Sequence, residues 1–203
     1  MPNGKIATDM QAETSQPTEV PVRRRLFTAD EYHRLGEVGI LRREDRVELV
    51  EGDIVLMSPI GTRHAACVDR LNVLMQRLFG DRAIVRVQGP VRLNPYSEPQ
   101  PDLTVLKSRA DFYASAHPQG IDIMLAIEVA DTSLRYDRDV KGRLYARTAI
   151  AEFWLIDLQD ESIEVFRQPQ ADGYAFSRAV ERGERLSIAA LPDAALSVDE
   201  VLG

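Results

Sequence analysis

The stretch 121-IDIMLAIEVADTSLRYDRDVKGRLYARTAIAEFWLID-157 decides the fold. From Ile123 to Ile127 it is apolar on both alternating faces, the pattern of a central strand covered on both sides. A helix is expected from about Asp137 to Ala149, and 153-FWLID-157 reads as a second short strand. Strand, helix and strand in that order predict a right-handed crossover. The first strand ends in Glu128, and Lys141 stands on the helix that follows. A carboxylate beside so many apolar neighbours carries a large desolvation cost unless it faces a cation, a donor or the mouth of a cleft. The alternative is that Glu128 emerges into solvent, and position does not decide between the two.

Outward from this stretch, 27-FTADEYHRLGE-37 has the pattern of a capped helix, with Thr28 three residues before Glu31 and Gly36 as an end signal. The segment 46-RVELVEGDIVLMSP-59 predicts a tight hairpin around Glu51-Gly52-Asp53. In 63-RHAACVDRLNVLMQRLFG-80, Cys67, Val68, Leu71, Leu74, Met75 and Leu78 form one helical stripe that closes at Gly80. Next, 83-AIVRVQGPVRL-93 alternates like a strand broken by Gly89-Pro90, and 95-PYSEPQP-101 is a loop leading to Asp102. A short strand 103-LTVL-106 precedes a polar connection with weak helical character around residues 108–116. Residues 162–180 predict a hairpin around Ala171-Asp172-Gly173, and 191-LPDAALSVDEVLG-203 closes with a short helix.

At 203 residues and 44% hydrophobic content the chain suits one domain with a tail. Residues 1–22 are polar and without periodicity, which predicts disorder, and Arg23, Arg24 and Arg25 then form a solvated flank. No run of about 18 apolar residues and no signal peptide is present, so a cytoplasmic protein without membrane segments is expected. The lone Cys67 sits on the apolar stripe and reads as a core thiol. A net charge of −7 argues against broad charge-driven binding to nucleic acid. It leaves room for a local basic groove, and an acidic cluster that holds a cation adds negative charge itself.

Asp102 follows Pro101, which fixes the direction of chain entry, and stands beside an apolar strand. If strands 103–106 and 123–129 are neighbours, Asp102 and Glu128 converge. Two carboxylates with a main-chain carbonyl, that of Val129, then make a hard-oxygen site suited to Mg²⁺ or Mn²⁺. Otherwise Asp102 caps a turn. Lys141 lies four residues after Asp137 and four before Tyr145, so the three share a helical face. This is a solvated ion pair unless the two carboxylates form a site. In that case the lysine stays charged and can hold an attacking water or stabilise phosphoryl charge.

Pro101-Asp102, Glu128-Val129-Ala130 and then Lys141 resemble the PD-(D/E)XK signature of restriction-endonuclease-like folds, with the lysine moved from strand to helix. The phrases 27-FTADEY-32, 47-VELVEGDIVLMSP-59 with His64, 101-PDLTVL-106, 127-IEVADTS-133, 136-YDRDVKGRLYA-146 and 152-EFWLID-157 resemble the Uma-two family, formerly a domain of unknown function, from about residue 26 onward. The resemblance implies an α/β fold: one restriction-endonuclease-like domain over residues 26–203, with a central mixed sheet flanked by helices, after a disordered tail 1–25. It implies that Asp102 and Glu128 hold metal, that Lys141 is catalytic, and that Glu48 joins the same cleft. Asp137 and Tyr145 would support these residues from behind, and His64 would face a phosphate or serve as a surface or capping residue. Two departures stand out: Ala130 occupies the superfamily's usual lysine position, and Glu51 stands where the family usually has Asp.

The expected function is Mg²⁺-dependent hydrolysis of phosphodiester bonds in nucleic acid, DNA foremost, with a homodimer suited to cutting both strands. A non-catalytic binding or assembly module on the same scaffold, or a hydrolase of small phosphodiesters, would share these residues. Scaffold resemblance alone does not separate them.

Overall fold

The computed structural model describes residues 24–42 and 44–203. The expected disordered tail over residues 1–22, and Arg23, lie outside the described residues. Arg24 and Arg25 are exposed and pair with Asp53 and Glu31, as a solvated flank would.

Helix α1 (Ala29–Glu37) starts at Thr28, whose hydroxyl accepts from the Glu31 amide while the Glu31 carboxylate accepts from the Thr28 amide. It runs one residue past Gly36, and the left-handed residue is Gly39 at φ 77°. Strands β1 (Val47–Val50) and β2 (Asp53–Leu56) pair antiparallel with Val50 opposite Asp53. The turn is therefore the two residues Glu51 and Gly52, both left-handed at φ 52° and 85°, as a tight hairpin requires. Helix α2 (Thr62–Phe79) buries Cys67, Val68, Leu71, Met75 and Phe79 and stops at Gly80 with φ 51°. Burial pushes the Cys67 thiol up to about 11, so it is a packing group and not a nucleophile.

Six strands form the main sheet: β3 (Ala83–Val87), β4 (Leu103–Lys107), β5 (Ile123–Ala130), β6 (Glu152–Asp157), β7 (Ser162–Gln170) and β8 (Gly173–Glu181). Their spatial order follows the chain. Only β5 and β6 are parallel, with Glu128 opposite Leu155, and the crossover between them carries helix α3 (Leu134–Tyr136), a π-helical turn Asp137–Lys141 and helix α4 (Gly142–Arg147). The helix expected over residues 137–149 thus starts earlier and contains one widened turn. Hydrophobic spacing alone does not distinguish such a turn from regular α-helix.

The period-two alternation of β5 splits the core. Leu125, Ile127 and Val129 pack with α2 on one face, while Ala126 and Ala130 pack with Leu144 and Tyr145 on the other. Glu128 has the parity of Ala126 and Ala130, so it projects toward the crossover helices.

Two expectations are corrected. Residues 108–116 form turns, with Phe112 and Tyr113 both left-handed (φ 50° and 60°), a backbone no α-helix continues. Residues 191–197 are not part of the closing helix: they form β10 (Leu191–Ser197), paired with β9 (Arg185–Ile188) across a register shift, before helix α5 (Val198–Leu202). The irregular register blurs the alternation that would have marked the strand. Among the described residues, no helix is long and apolar enough to cross a membrane.

The hairpin turn gives a direct test. A Cβ on Gly52 would lie 2.5 Å from Leu26 Cβ at a φ that side chains rarely adopt. Gly52→Ala is expected to lower stability by about 1–3 kcal/mol in urea unfolding. An unchanged midpoint would contradict the turn geometry.

Candidate active site

Four parts of the chain meet at one end of the sheet. Glu48 comes from β1, Asp102 from the residue just before β4, Glu128 from β5, and Asp137, Lys141 and Tyr145 from the crossover. Glu48, Glu128, Asp137, Lys141 and Tyr145 are all at most 5% exposed, and Asp102 is 9% exposed.

Lys141 is the centre of this group. Its Nζ lies 3.0 Å from Glu48 Oε1, 3.2 Å from Glu128 Oε1 and 3.9 Å from Asp137 Oδ1. The Tyr145 hydroxyl donates to the same Glu128 Oε1, and the Ser133 hydroxyl donates to Asp137 Oδ2. Glu48 Oε2 accepts from the Gln100 amide at 3.0 Å. Asp102 is held separately: Oδ2 accepts from the Val129 amide at 2.9 Å and meets His64 Nε2 at 3.1 Å, while Oδ1 accepts from Gln88 Nε2 at 3.3 Å.

The electrostatics are unbalanced. Four carboxyl groups face one ammonium and one imidazole. Burial pushes the Glu128 carboxyl well above its ordinary range, and the attraction of Lys141 does not offset it because Asp137, Asp102 and Glu48 push the same way as burial. Asp137 is raised as well, chiefly by burial. Burial works against charged Asp102 too, but the His64 contact, the Val129 amide and Lys141 together hold its carboxyl below the usual range. Burial disfavours the charged form of Lys141, yet Glu128, Glu48 and Asp137 keep it protonated with a raised pKa.

These groups line a cleft of about 500 Å³ with Arg46, Gly61 and Tyr136 on its walls. Two further atoms on this lining, His64 Nδ1 and the Tyr136 hydroxyl, are buried without a hydrogen-bond partner among the described residues. The site therefore has spare acceptor charge and unsatisfied polar atoms. Its carboxylate oxygens suit a hard divalent cation, so the residues present fit Mg²⁺ or Mn²⁺.

The structure brings together all seven side chains singled out in the sequence: Glu48, His64, Asp102, Glu128, Asp137, Lys141 and Tyr145. The Val129 group that touches Asp102 is its amide. Ala130 lies buried beside Glu128, so the ammonium near Glu128 comes from Lys141 on the crossover. Glu51 belongs to the hairpin turn, where its carboxylate pairs with Arg147 and not with the cluster. Sequence reasoning missed Gln88, Gln100, Ser133 and Tyr136. Gln88 shows its part only through the β3–β4 pairing: one step past Val87↔Leu103 sets it across from Asp102, and its amide donates to the Asp102 carbonyl at 3.1 Å. Its φ of 47° turns the chain there, just before Gly89-Pro90.

The Uma2 family model, described as "Putative restriction endonuclease", matches residues 29–199. A crystal structure described as a "putative nuclease belonging to DUF820" from Anabaena variabilis superposes with a TM-score of 0.71, over 87% of this chain and 97% of that one. The two sequences are 17% identical, so this likeness concerns the fold. No curated protein matches.

The Asp102–His64 contact raises the His64 pKa against the opposing effect of burial. In metal-free protein His64 should titrate above about 6.5, the free-histidine value, when followed by NMR. Asp102→Asn should bring it down. The contact's stabilisation is then fully present below about pH 6.5 and lost as pH rises through the folded-state pKa. A His64 titration at or below the free value in the wild type would contradict the geometry.

Proposed function

The chain belongs to the Uma2 family, and from that premise we propose that it is a Mg²⁺- or Mn²⁺-dependent endonuclease that hydrolyses phosphodiester bonds in DNA. The observation that carries the proposal is the charge imbalance: four buried carboxyl groups line one open cleft, and the single lysine among them contacts three, Glu48, Glu128 and Asp137. A bound divalent cation supplies the missing positive charge.

Asp102 and Glu128, with the Val129 carbonyl, are the residues that would hold the cation. Bound there, it would neutralise phosphate charge and make water more acidic. Lys141 is pinned between Glu48 and Glu128, so its ammonium is fixed at the cleft wall, where it would orient the attacking water. Because its pKa is raised, it acts as a hydrogen-bond donor and not as a base. Tyr145 and Lys141 both bond Oε1 of Glu128, which leaves Oε2 for the cation. Asp137 and Ser133 brace the lysine from behind. His64, fixed by Asp102 on the cleft lining, would meet a phosphate oxygen. In hydrolysis the water oxygen bonds to phosphorus, the bond to the leaving sugar oxygen breaks, and that oxygen receives a proton. Cutting both strands of a duplex would take two copies of the chain.

Plasmid, single-stranded oligonucleotide and a chromogenic diester, each incubated with Mg²⁺ or with chelator, test this reading. Plasmid cleavage that requires the metal is expected. Asp102→Asn and Lys141→Ala should each reduce it by about 10²–10³-fold with circular dichroism unchanged. Undiminished cleavage by both folded variants contradicts the proposal. Hydrolysis of the diester alone would make this a small-phosphoester hydrolase. No hydrolysis and no Mg²⁺ heat in calorimetry would leave a binding module.

A further inference from the structure

Two of the chain's three histidines take no part in the acidic cluster. His33 lies on α1 and His117 in the connection leading to β5, 84 residues apart in sequence, yet their rings stack at 6.1 Å with 25° between planes. Both Nε2 atoms approach one oxygen, Oε1 of Glu98, at 2.8 Å from His33 and 4.0 Å from His117. Glu98 is 2% exposed. Its other oxygen, Oε2, accepts from Arg92 Nε at 2.8 Å, and Arg92 also reaches Asp30 on α1. The arginine therefore fixes the carboxylate with Oε1 turned to the imidazoles, the role an outer hydrogen-bond partner has in a metal site.

The three donor atoms lie within 4.8 Å of one another. Bonds of about 2.1 Å to a tetrahedral ion would set such atoms roughly 3.4 Å apart. The two contacts, 2.8 Å and 4.0 Å, bracket that spacing. The imidazoles are 42% and 37% exposed, so they can adjust by the fraction of an ångström needed, and a fourth position remains open to water. A simple His33–Glu98 hydrogen bond would account for His33 but not for His117 aimed at the same oxygen.

We propose that His33, Glu98 and His117 form a binding site for a borderline transition-metal cation of the Zn²⁺ class, distinct from the acidic cluster. Two nitrogens and one carboxylate select such an ion over Mg²⁺, which prefers oxygen. With the imidazole protons on Nδ1, both Nε2 lone pairs would be free for the metal. The site would brace the chain that builds the cleft. The Glu98 amide donates to the Leu49 carbonyl at 2.8 Å, Gln100 two residues on holds Glu48, and Asp102 follows two residues later. A Zn²⁺ here ties α1 and the connection before β5 to that segment.

The test uses the full chain without an affinity tag, stripped with chelator and titrated with Zn²⁺ against a chromogenic competitor in excess Mg²⁺. Wild type should bind one equivalent. His33→Ala and His117→Ala should each weaken binding at least about tenfold, and Asp102→Asn should leave it unchanged. The Asp102→Asn arm separates this proposal from the nuclease reading, since that variant abolishes the proposed hydrolysis without touching these ligands. Should an alanine variant melt below wild type without metal, His33→Gln and His117→Gln replace it. Absence of Zn²⁺ binding by wild type overturns the proposal. So does wild-type affinity in the doubly substituted protein, or loss of affinity in Asp102→Asn instead.

Discussion

Everything at the cleft depends on keeping four carboxyl groups buried in one place, three of them in contact with a single ammonium. Taking a carboxylate out of water costs several kcal/mol, and one lysine can offset only part of that for four acids. The fold reduces the remainder with fixed donors. The Val129 and Gln100 amides, the Tyr145 and Ser133 hydroxyls, His64 and Gln88 each satisfy one acid. Burial first, and the neighbouring acids after it, raise the Glu128 and Asp137 carboxyls, while those acids keep Lys141 protonated against burial. The cation proposed for the cleft would offset the charge of these acids.

The sheet exists in the form that makes this possible. The antiparallel β4–β5 pair sets Leu103 opposite Ile127, so Asp102 reaches the Val129 amide. The parallel β5–β6 pair requires a crossover, and that crossover brings Lys141 and Tyr145 over Glu128. The π-helical turn at Asp137–Lys141 lies at the point where the crossover faces the acids, a common place for such turns. On the opposite face, α2 and α5 cover β5 and β6 with an apolar core, so the cleft end of the sheet rests on a rigid base.

How legible this was in the sequence varied by residue. Glu128 stood out because a carboxylate among apolar strand residues is physically costly, and Asp102 because Pro101 fixes its approach, yet position alone left open whether Glu128 met solvent and Asp102 capped a turn. Lys141 gained meaning only through those two, and Glu48 only through family resemblance: in the alternating pattern VELV it looks like a solvent-facing residue, yet it is buried. Gln88 and Gln100 carry no charge and no periodic signal, so their part emerges only once β3 pairs with β4 and the loop before Asp102 meets β1. The widened helical turn and the irregular β9–β10 pair escaped for a related reason. Each depends on tertiary contacts that hydrophobic spacing does not encode.

The two clusters are chemically unlike: one offers hard oxygens, the other imidazole nitrogens around a clamped carboxylate. Crystals grown with Mn²⁺, measured for anomalous scattering, address the acidic cluster most directly. The expected result is a strong peak within bonding distance of Asp102 and Glu128. No peak there at saturating Mn²⁺, or a peak confined to His33, Glu98 and His117, would contradict the metal-dependent reading of the cleft.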